Sequence, residues 1–187
     1  KIEEQYHELY KVSDAWVHDN LARASQTGYV ECAFGLRVRT PLLAKTIRNQ
    51  SLNPFEAESE ARTAGNALGQ SYGLLTNRAL TDFMRRVRNS PYLYDIKPVA
   101  MIHDAIYLVI RDDIDVCKFV NDNLIDSMQW QELPELKHDT VKLGAELSVF
   151  YPAWDCELII PNYANKLDIQ KLANAHKETY CAGSTES

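Results

Sequence analysis

The sequence predicts a mixed α+β fold, because helical and strand-like patterns follow one another along its 187 residues. Two long stretches have helical periodicity, residues 2–26 and 55–89. Two shorter stretches, residues 28–41 and 97–111, have the alternation and turn residues of antiparallel hairpins. Hydrophobic residues make up 45% of the chain, which is enough to bury a core. We therefore expect one domain or a large piece of one.

The N-terminal region is predicted to contain a helix followed by a short hairpin. Apolar side chains over residues 2–26 recur three or four positions apart and can line one helix face. Gly28 follows and is expected to end the helix as a C-terminal cap. In the hairpin, Arg37 and Arg39 are two residues apart, which places both on one side of a strand. Residues 42–53 are expected to form a loop or a short helix.

The longest helical pattern, residues 55–89, carries two stripes of residues spaced by four. The polar stripe consists of Arg62, Asn66 and Gln70. The glycine stripe consists of Gly65, Gly69 and Gly73. Each glycine inside a helix costs about 1 kcal/mol relative to alanine, so we expect close approach of another backbone there. That backbone belongs either to a packed helix or to a nucleic acid, whose base edges accept hydrogen bonds from Arg, Asn and Gln.

The apolar run MIHDAIYLVI, residues 101–110, contains a histidine beside a carboxylate. Burial of an unpaired charge is costly, so Asp104 is expected at a turn, in an ion pair or at a metal. The flanking patterns predict strands over residues 97–102 and 106–110, with a turn between them. The simplest interpretation is an aspartate that forms the turn by bonding backbone amides, beside a hydrogen-bonded His103 at a strand end.

Three further elements are predicted after this hairpin. Residues 111–128 form an acidic amphipathic pattern typical of a helix. Its predicted inward side chains are Ile114, Cys117, Val120, Leu124, Ile125 and Met128. A strand is predicted over residues 140–150, and a polar tail from Pro161 onward includes a helical stretch at 166–179.

Charge and motif content restrict the possible functions. The net charge of −6 argues against nucleic acid, but residues 35–90 hold nine basic and four acidic residues between acidic flanks. Such a basic middle is typical of a phosphate-facing surface or of a solvated helix face. The H-E-x-x-H, P-loop and G-x-G-x-x-G motifs are absent from the sequence.

Cysteine spacing predicts a cytoplasmic location, and hydropathy argues against a membrane-spanning helix. The four cysteines have no C-x-x-C pairing, so we expect reduced thiols in the cytoplasm rather than disulfides or a zinc site. No apolar run reaches the ~18 residues of a membrane helix, so no membrane is expected as a partner.

Taken in order, three motifs resemble the C-terminal part of the polymerase domain of family A DNA polymerases, the bacterial polymerase I type, and in particular a bacteriophage member. "GYVE…FG…R…P" is similar to the strand pair that follows the fingers. "AR…N…Q", with Arg62, Asn66 and Gln70, matches the helix that tracks the primer–template minor groove. "IHDA" matches motif C, usually His-Asp-Glu after an apolar strand, and "LGAELSVFYPAWD" looks like the terminal strand. The likeness covers roughly residues 1–156.

The resemblance implies part of a right-hand polymerase fold. Residues 1–53 would be the end of the fingers and a connecting hairpin, with residues 1–27 closing the fingers. Residues 54–160 would hold the long DNA-tracking helix and the palm with the motif C hairpin. Most of the antiparallel palm sheet, with flanking helices, would come from residues 97–156. Residues 161–187 would be a C-terminal tail.

The resemblance also implies an activity, DNA-directed DNA polymerisation in replication. This is a templated nucleotidyl transfer by a two-metal mechanism. Asp104 would be one of two aspartates that hold catalytic Mg²⁺, the one ligand from this chain. His103 would lie near the primer terminus and share the catalytic role. Five side chains would bind primer–template DNA: Arg62, Asn66, Gln70, Arg37 and Arg39.

Departures from the family pattern imply a partner segment. Motif A, with the second aspartate, and the fingers helix that binds the incoming nucleotide have no match, and Ala105 replaces the usual glutamate. The chain begins at Lys1 within a helical pattern, so we expect a piece of a longer protein or assembly. The expected partners are primer–template DNA, deoxynucleoside triphosphates and that missing segment, in a host cytoplasm for a phage protein. The alternative is a non-catalytic polymerase-derived module that binds DNA or a protein.

Overall fold

The computed structural model describes residues 2–47 and 54–181, which form helices and small antiparallel sheets. The chain divides into two compact units, Lys1–Leu74 and Leu75–Ser187. The predicted α+β class is confirmed. The assignment of these elements to a right hand, with its three-part division, stays a prediction.

The N-terminal unit contains helices and one short hairpin in its described part. The helices are α1 (Ile2–Leu9), α2 (Lys11–Thr27), α3 (Pro41–Ile47) and α4 (Pro54–Gln70). The hairpin pairs β1 (Tyr29–Glu31) with β2 (Arg37–Arg39). These bounds confirm the predicted hairpin and the short helix after it, while residues 48–53 lie outside the described part of the chain.

The predicted first helix is present but breaks once. Tyr10 has φ −105° and ψ 24°, outside the helical range, and so separates α1 from α2. Gly28 adopts the left-handed conformation with φ 82° and donates its N–H to the Ala24 carbonyl at 2.7 Å. This is the predicted C-terminal cap, and it turns the chain into β1.

One apolar cluster holds α2, the hairpin and α4 together. Its buried members are Ala24, Val30, Cys32, Ala64 and Leu68. The buried Ser71 hydroxyl closes the cluster, because it accepts the Ala33 N–H at 3.0 Å and donates to the Leu68 carbonyl at 2.9 Å. One serine therefore ties the end of α4 to the hairpin.

The prediction of a single helix over residues 55–89 is wrong, because the helix is interrupted. A 3₁₀ turn at Ser71–Gly73 separates α4 from α5 (Leu74–Arg88). The hydrogen bond from Ser71 to the Leu68 carbonyl competes with the regular helical ladder, and Gly73 has low helix propensity. The interruption falls at the boundary between the two units.

The C-terminal unit combines three helices with two hairpins in its described part. In addition to α5 it contains β3 (Ile96–Ile102), β4 (Ala105–Ile110), α6 (Ile114–Met128), β5 (Leu147–Phe150), β6 (Glu157–Ile160) and α7 (Lys166–Cys181). β3 pairs with β4 and β5 with β6, both antiparallel. The predicted hairpin over residues 97–111 and the tail helix at 166–179 are confirmed. Among the described residues the two hairpins remain separate sheets, so this chain alone does not hydrogen-bond residues 97–156 into one palm sheet.

Helix α6 lies at the centre of the C-terminal unit, because both of its apolar clusters include it. The main cluster buries Phe83, Val87, Ile96, Val116, Val120 and Leu124. The second cluster buries Cys117, Ile160 and Ile169, and so joins α6 to β6 and α7. All six side chains predicted to face inward from α6 are buried or half-buried.

Three of the four cysteines agree with the prediction of reduced thiols. Cys32, Cys117 and Cys156 are free and buried. Burial raises the pKa of the Cys117 thiol. The side chain of Cys181 lies outside the described part of the chain.

The predicted strand over residues 140–150 is wrong for most of its length. Only Leu147–Phe150 forms a strand, β5, and residues 140–146 have no regular structure. A buried side chain replaces a strand partner there: Gln131 accepts the Leu143 N–H at 2.7 Å and donates to the Val141 carbonyl at 3.1 Å. The partner of β5, strand β6, was not predicted.

Helix α6 begins at an aspartate cap. Asp113 Oδ1 accepts the backbone N–H groups of Asp115 at 2.8 Å and Val116 at 3.3 Å. These two hydrogen bonds, with a smaller contribution from the Arg111 charge, hold the pKa of Asp113 below its ordinary value of 3.8.

We predict that Asp113→Ala lowers the unfolding temperature, because the substitution leaves two N–H groups of α6 without their acceptor. The folded pKa is depressed, so the stabilisation is present above pH 3.8 and is lost as the pH falls through the lower folded value. Thermal unfolding of wild type and variant across the acid range measures this, with Asp139→Ala, an exposed carboxylate, as control. A difference between wild type and Asp113→Ala that persists undiminished in strong acid would contradict the prediction.

Candidate functional site

The hairpin β3–β4 reverses through a two-residue turn made by His103 and Asp104. Ile102 and Ala105 form the last pair of the ladder, so both turn residues lie beyond the sheet and are exposed. His103 has φ 54°, in the left-handed region that tight hairpin turns require at their first central position. That conformation costs a non-glycine residue about 1–2 kcal/mol, although histidine adopts it more readily than most.

Asp104 does not have the interactions expected of a turn-forming aspartate. In the part of the chain that the structure describes, its side chain accepts no hydrogen bond from a backbone amide and makes no ion pair. The side chain of His103 likewise has no hydrogen bond there. The carboxylate in the apolar run is therefore solvated at a turn and available to an external ligand.

The hairpin behind the turn has an exposed outer strand. Every residue of β3 after Ile96 is exposed, and no described strand pairs with its outer edge. The base of this edge is protected by a lysine, a proline and a bulge: Lys97, Pro98 and the irregularity that follows. All three are common means of preventing unwanted strand pairing. Nearer the tip, Met101 and Ile102 are 42% and 52% exposed. The tip thus places an unpaired carboxylate next to uncovered apolar surface.

The fit of this site to a metal depends on groups from outside the chain. Among the described residues, no three His, Cys, Asp or Glu side chains converge as possible metal ligands. Mg²⁺, however, is commonly held by one or two carboxylates together with substrate phosphate oxygens and water. An exposed, unpaired Asp104 fits as one such ligand, and the other ligands would come from substrate and from another segment.

The polar stripe of α4 lies on the side of the helix away from the core. Three apolar residues of α4 are buried: Ala57, Ala64 and Leu68. Arg62, Asn66 and Gln70 are all exposed. Arg62 pairs with Glu58 at 2.5 Å on the same helix. An exposed pair of this kind contributes only about 0.3–0.5 kcal/mol, so a nucleic acid could displace it at little cost.

The glycine stripe, which runs along α4 and ends at Gly73 in the 3₁₀ turn after it, is open rather than packed. A Cβ added at Gly69 or Gly73 would meet no atom within 4 Å. At Gly65 it would meet Val17 Cγ1 at 3.5 Å, an ordinary van der Waals contact. Packing against the described residues therefore requires glycine at none of the three positions. The helix backbone lies uncovered beside Asn66 and Gln70.

The two arginines of β2 lie on one side of the strand, as predicted. Arg37 and Arg39 are exposed, whereas Val38 between them is half-buried. Arg37 pairs with Glu31 at 3.4 Å and lies over the Tyr29 ring, 4.6 Å from its centroid. All five predicted DNA-binding residues fall within the N-terminal unit, whereas the catalytic pair belongs to the C-terminal unit.

A polar cavity of about 390 Å³ in the C-terminal unit was missed by the sequence analysis. Arg78, Asp82 and Arg86 of α5 line it, together with residues of the segment 126–142. The only signal available was the spacing of those three charges by four residues, which places them on one helix face. Their convergence with the end of α6 and the irregular segment after it could not be read from a periodic pattern.

Comparison with known proteins does not assign the chain to a family. No protein-family model matches the chain, and no curated protein matches it significantly. Within the described ranges, no helix has both the length and the apolar character needed to cross a membrane. The family resemblance therefore stays a prediction from three motifs.

Proposed function

We propose that this chain is the C-terminal palm portion of a DNA-directed DNA polymerase of the polymerase I type, which works with a segment that bears motif A and the fingers helix. The observation that carries the proposal is Asp104, an exposed and unpaired carboxylate at the tip of a tight hairpin between apolar strands. A two-metal phosphoryl-transfer site requires carboxylates that are held in place and open to substrate.

The hairpin suits this role because its base is fixed in the core. Ile96 is buried there, and Leu108 and Ile110 pack against the same cluster. Asp104 and a partner carboxylate would hold Mg²⁺, which when bound stabilises the attacking and leaving oxygens of nucleotidyl transfer. His103 would donate a hydrogen bond near the primer terminus. Fixing these groups before substrate arrives lowers the reorganisation needed during reaction.

The surface of α4 supports binding to a duplex without sequence preference. Minor-groove acceptors are nearly the same for every base pair, so donors such as Arg62, Asn66 and Gln70 suit a polymerase that must accept all sequences. The open glycine stripe would let a DNA strand approach the helix backbone closely. Arg37 and Arg39 would contact phosphates, which fix position rather than sequence.

The unpaired edges of the hairpin β3–β4 support the need for another segment. Strand β4 (Ala105–Ile110) contains no charged residue, and β3 is its only strand partner among the described residues. An exposed apolar strand edge favours pairing with a further strand. We infer that the motif A segment supplies that strand together with the second aspartate.

A non-catalytic DNA-binding or partner-binding module is the second candidate. Ala105 stands where the family pattern has glutamate, and the described residues form no complete metal site. In that case the α4 surface would still bind DNA, but Asp104 would have no role in nucleotide incorporation.

We predict that Asp104→Asn in the complete polymerase assembly lowers nucleotide incorporation by about 10²–10³-fold, the scale for one transition-state electrostatic group. Primer–template affinity should change little, because the proposed DNA contacts are made by α4 and β2 of the N-terminal unit and Asp104 is not among them. Single-turnover primer extension and a binding titration measure the two quantities, and Asp139→Asn serves as the control for loss of a surface charge. Normal incorporation by Asp104→Asn would reject the metal-ligand assignment and favour the non-catalytic module.

We predict that Gly69→Ala stabilises the protein by up to about 1 kcal/mol, because a methyl group fits there and alanine favours the helix. The same methyl group should weaken primer–template binding, because it blocks approach to the helix backbone. Gln70→Ala should weaken binding by about 1–3 kcal/mol through loss of a donor. Gly144→Ala, at another open glycine, is the matched control.

Chemical denaturation and fluorescence anisotropy with labelled primer–template measure stability and affinity. If both Gly69→Ala and Gln70→Ala bind DNA as well as Gly144→Ala does, the α4 surface is not the DNA-binding surface.

A further inference from the structure

The polar cavity of the C-terminal unit is lined by charged side chains that the proposed polymerase function does not use. It has a volume of about 390 Å³ and is lined by three cationic and three anionic side chains. The formal charges therefore cancel in number. Each of the three carboxylates, however, already forms an ion pair with a lysine or an arginine.

The carboxylates of the cavity are all paired with cations. Asp126 accepts from Arg86 at 2.6 Å, and Asp82 accepts from Arg86 at 3.1 Å and lies 3.5 Å from Arg85. Burial alone would raise the pKa of Asp82, but the hydrogen bond from Ser127 and the charges of Arg86 and Arg78 hold it below its ordinary value. Both aspartates therefore have arginine partners, Arg86 and Arg85.

The third carboxylate of the cavity, Glu132, pairs with Lys137 at 3.2 Å. This leaves Arg78 and Lys142 as the cations of the cavity without a carboxylate at ion-pair distance in the described part of the chain. Their other contacts are to neutral groups. Arg78 donates to the Ser127 carbonyl at 3.3 Å, and Lys142 donates to the His138 carbonyl at 2.8 Å.

Both unmatched cations are held in place by neighbouring groups. The Arg78 guanidinium stacks over the Trp130 ring, 3.8 Å from its centroid. The buried Gln131 bonds the backbone of Val141 and Leu143, the residues on either side of Lys142. These bonds hold the backbone on both sides of Lys142 beside the cavity.

Burial has a cost for Arg78. Desolvation lowers its pKa. The Asp82 and Asp126 charges oppose that effect, and the Arg86 and Arg85 charges add to it. An anion in contact with Arg78 would offset this cost further, since no carboxylate lies at ion-pair distance from Arg78 in the described part of the chain.

The cavity also offers a neutral donor. Gln129 accepts the Tyr163 hydroxyl through Oε1 at 2.9 Å, which orients its amide. Its amide nitrogen makes no hydrogen bond among the described residues, although Gln129 lines the cavity. A donor amide beside two cations favours a ligand with several acceptor oxygens.

We propose that this cavity binds the phosphate group of a phosphate monoester, held by Arg78, Lys142 and Gln129. The planar guanidinium matches two phosphate oxygens, and the ammonium adds a third charge-assisted hydrogen bond. The volume exceeds that of a bare phosphate, which leaves room for the organic part of the ligand. The site is independent of Asp104 and of the α4 surface.

The test is a phosphate titration of the full chain followed by NMR of its three tryptophan indole N–H signals. Trp130 should shift with saturable dependence on inorganic phosphate, because Arg78 stacks on its ring. The signals of Trp16 and Trp154 should not move, and sodium chloride at equal ionic strength should have no effect. Lys142→Gln should weaken phosphate binding about tenfold, the scale of one charge-assisted hydrogen bond, and Lys171→Gln, another exposed lysine, should not.

Two results would overturn the proposal. One is an equal shift of Trp130 with chloride and phosphate in the wild-type chain, which would indicate screening alone. The other is equal phosphate affinity of Lys142→Gln and Lys171→Gln. The wild-type comparison does not depend on any variant folding, and Trp154 reports on the fold of each variant.

Discussion

The two-residue turn between β3 and β4 is the constraint from which the functional interpretation follows. A carboxylate in an apolar run is tolerable only where it can be solvated, and the pair Ile102–Ala105 leaves only His103 and Asp104 beyond the ladder. The base of the hairpin is buried with α5 and α6, so the turn is held on a fixed support. The same support leaves β3 exposed along most of its length, and an exposed strand edge favours pairing with a further strand.

Much of the local structure could be predicted from the sequence, because it follows from short-range chemistry. The Gly28 cap, the β3–β4 hairpin and the inward face of α6 each depend on residues a few positions apart. The exceptions depend on contacts distant in sequence. Ser71 ends α4 through bonds that include Ala33, 38 residues away, and Gln131 organises a segment about ten residues further along the chain. No periodic pattern contains that information.

For the candidate site, the sequence predicted the residues but could not predict their surroundings. It identified Asp104 and placed it at a turn, and the structure confirms the turn but shows no backbone amide bonded to that side chain in the described part of the chain. It identified the glycine stripe, and the space around Gly69 and Gly73 then showed that packing against the described residues does not require glycine. The charged cavity beside α5 was not predicted at all, because its lining comes from separate elements.

The central claim is that Asp104 is displayed to bind a divalent metal, and Mn²⁺ mapping by NMR tests it most directly. Bound Mn²⁺ broadens nearby amide signals even when binding is weak, as expected for a single carboxylate. We expect the broadening at low Mn²⁺ to centre on residues 102–105 and to disappear from that turn in Asp104→Asn. Broadening confined to other acidic segments, such as the aspartates at 112–115, with the turn unaffected in wild type, would contradict the claim.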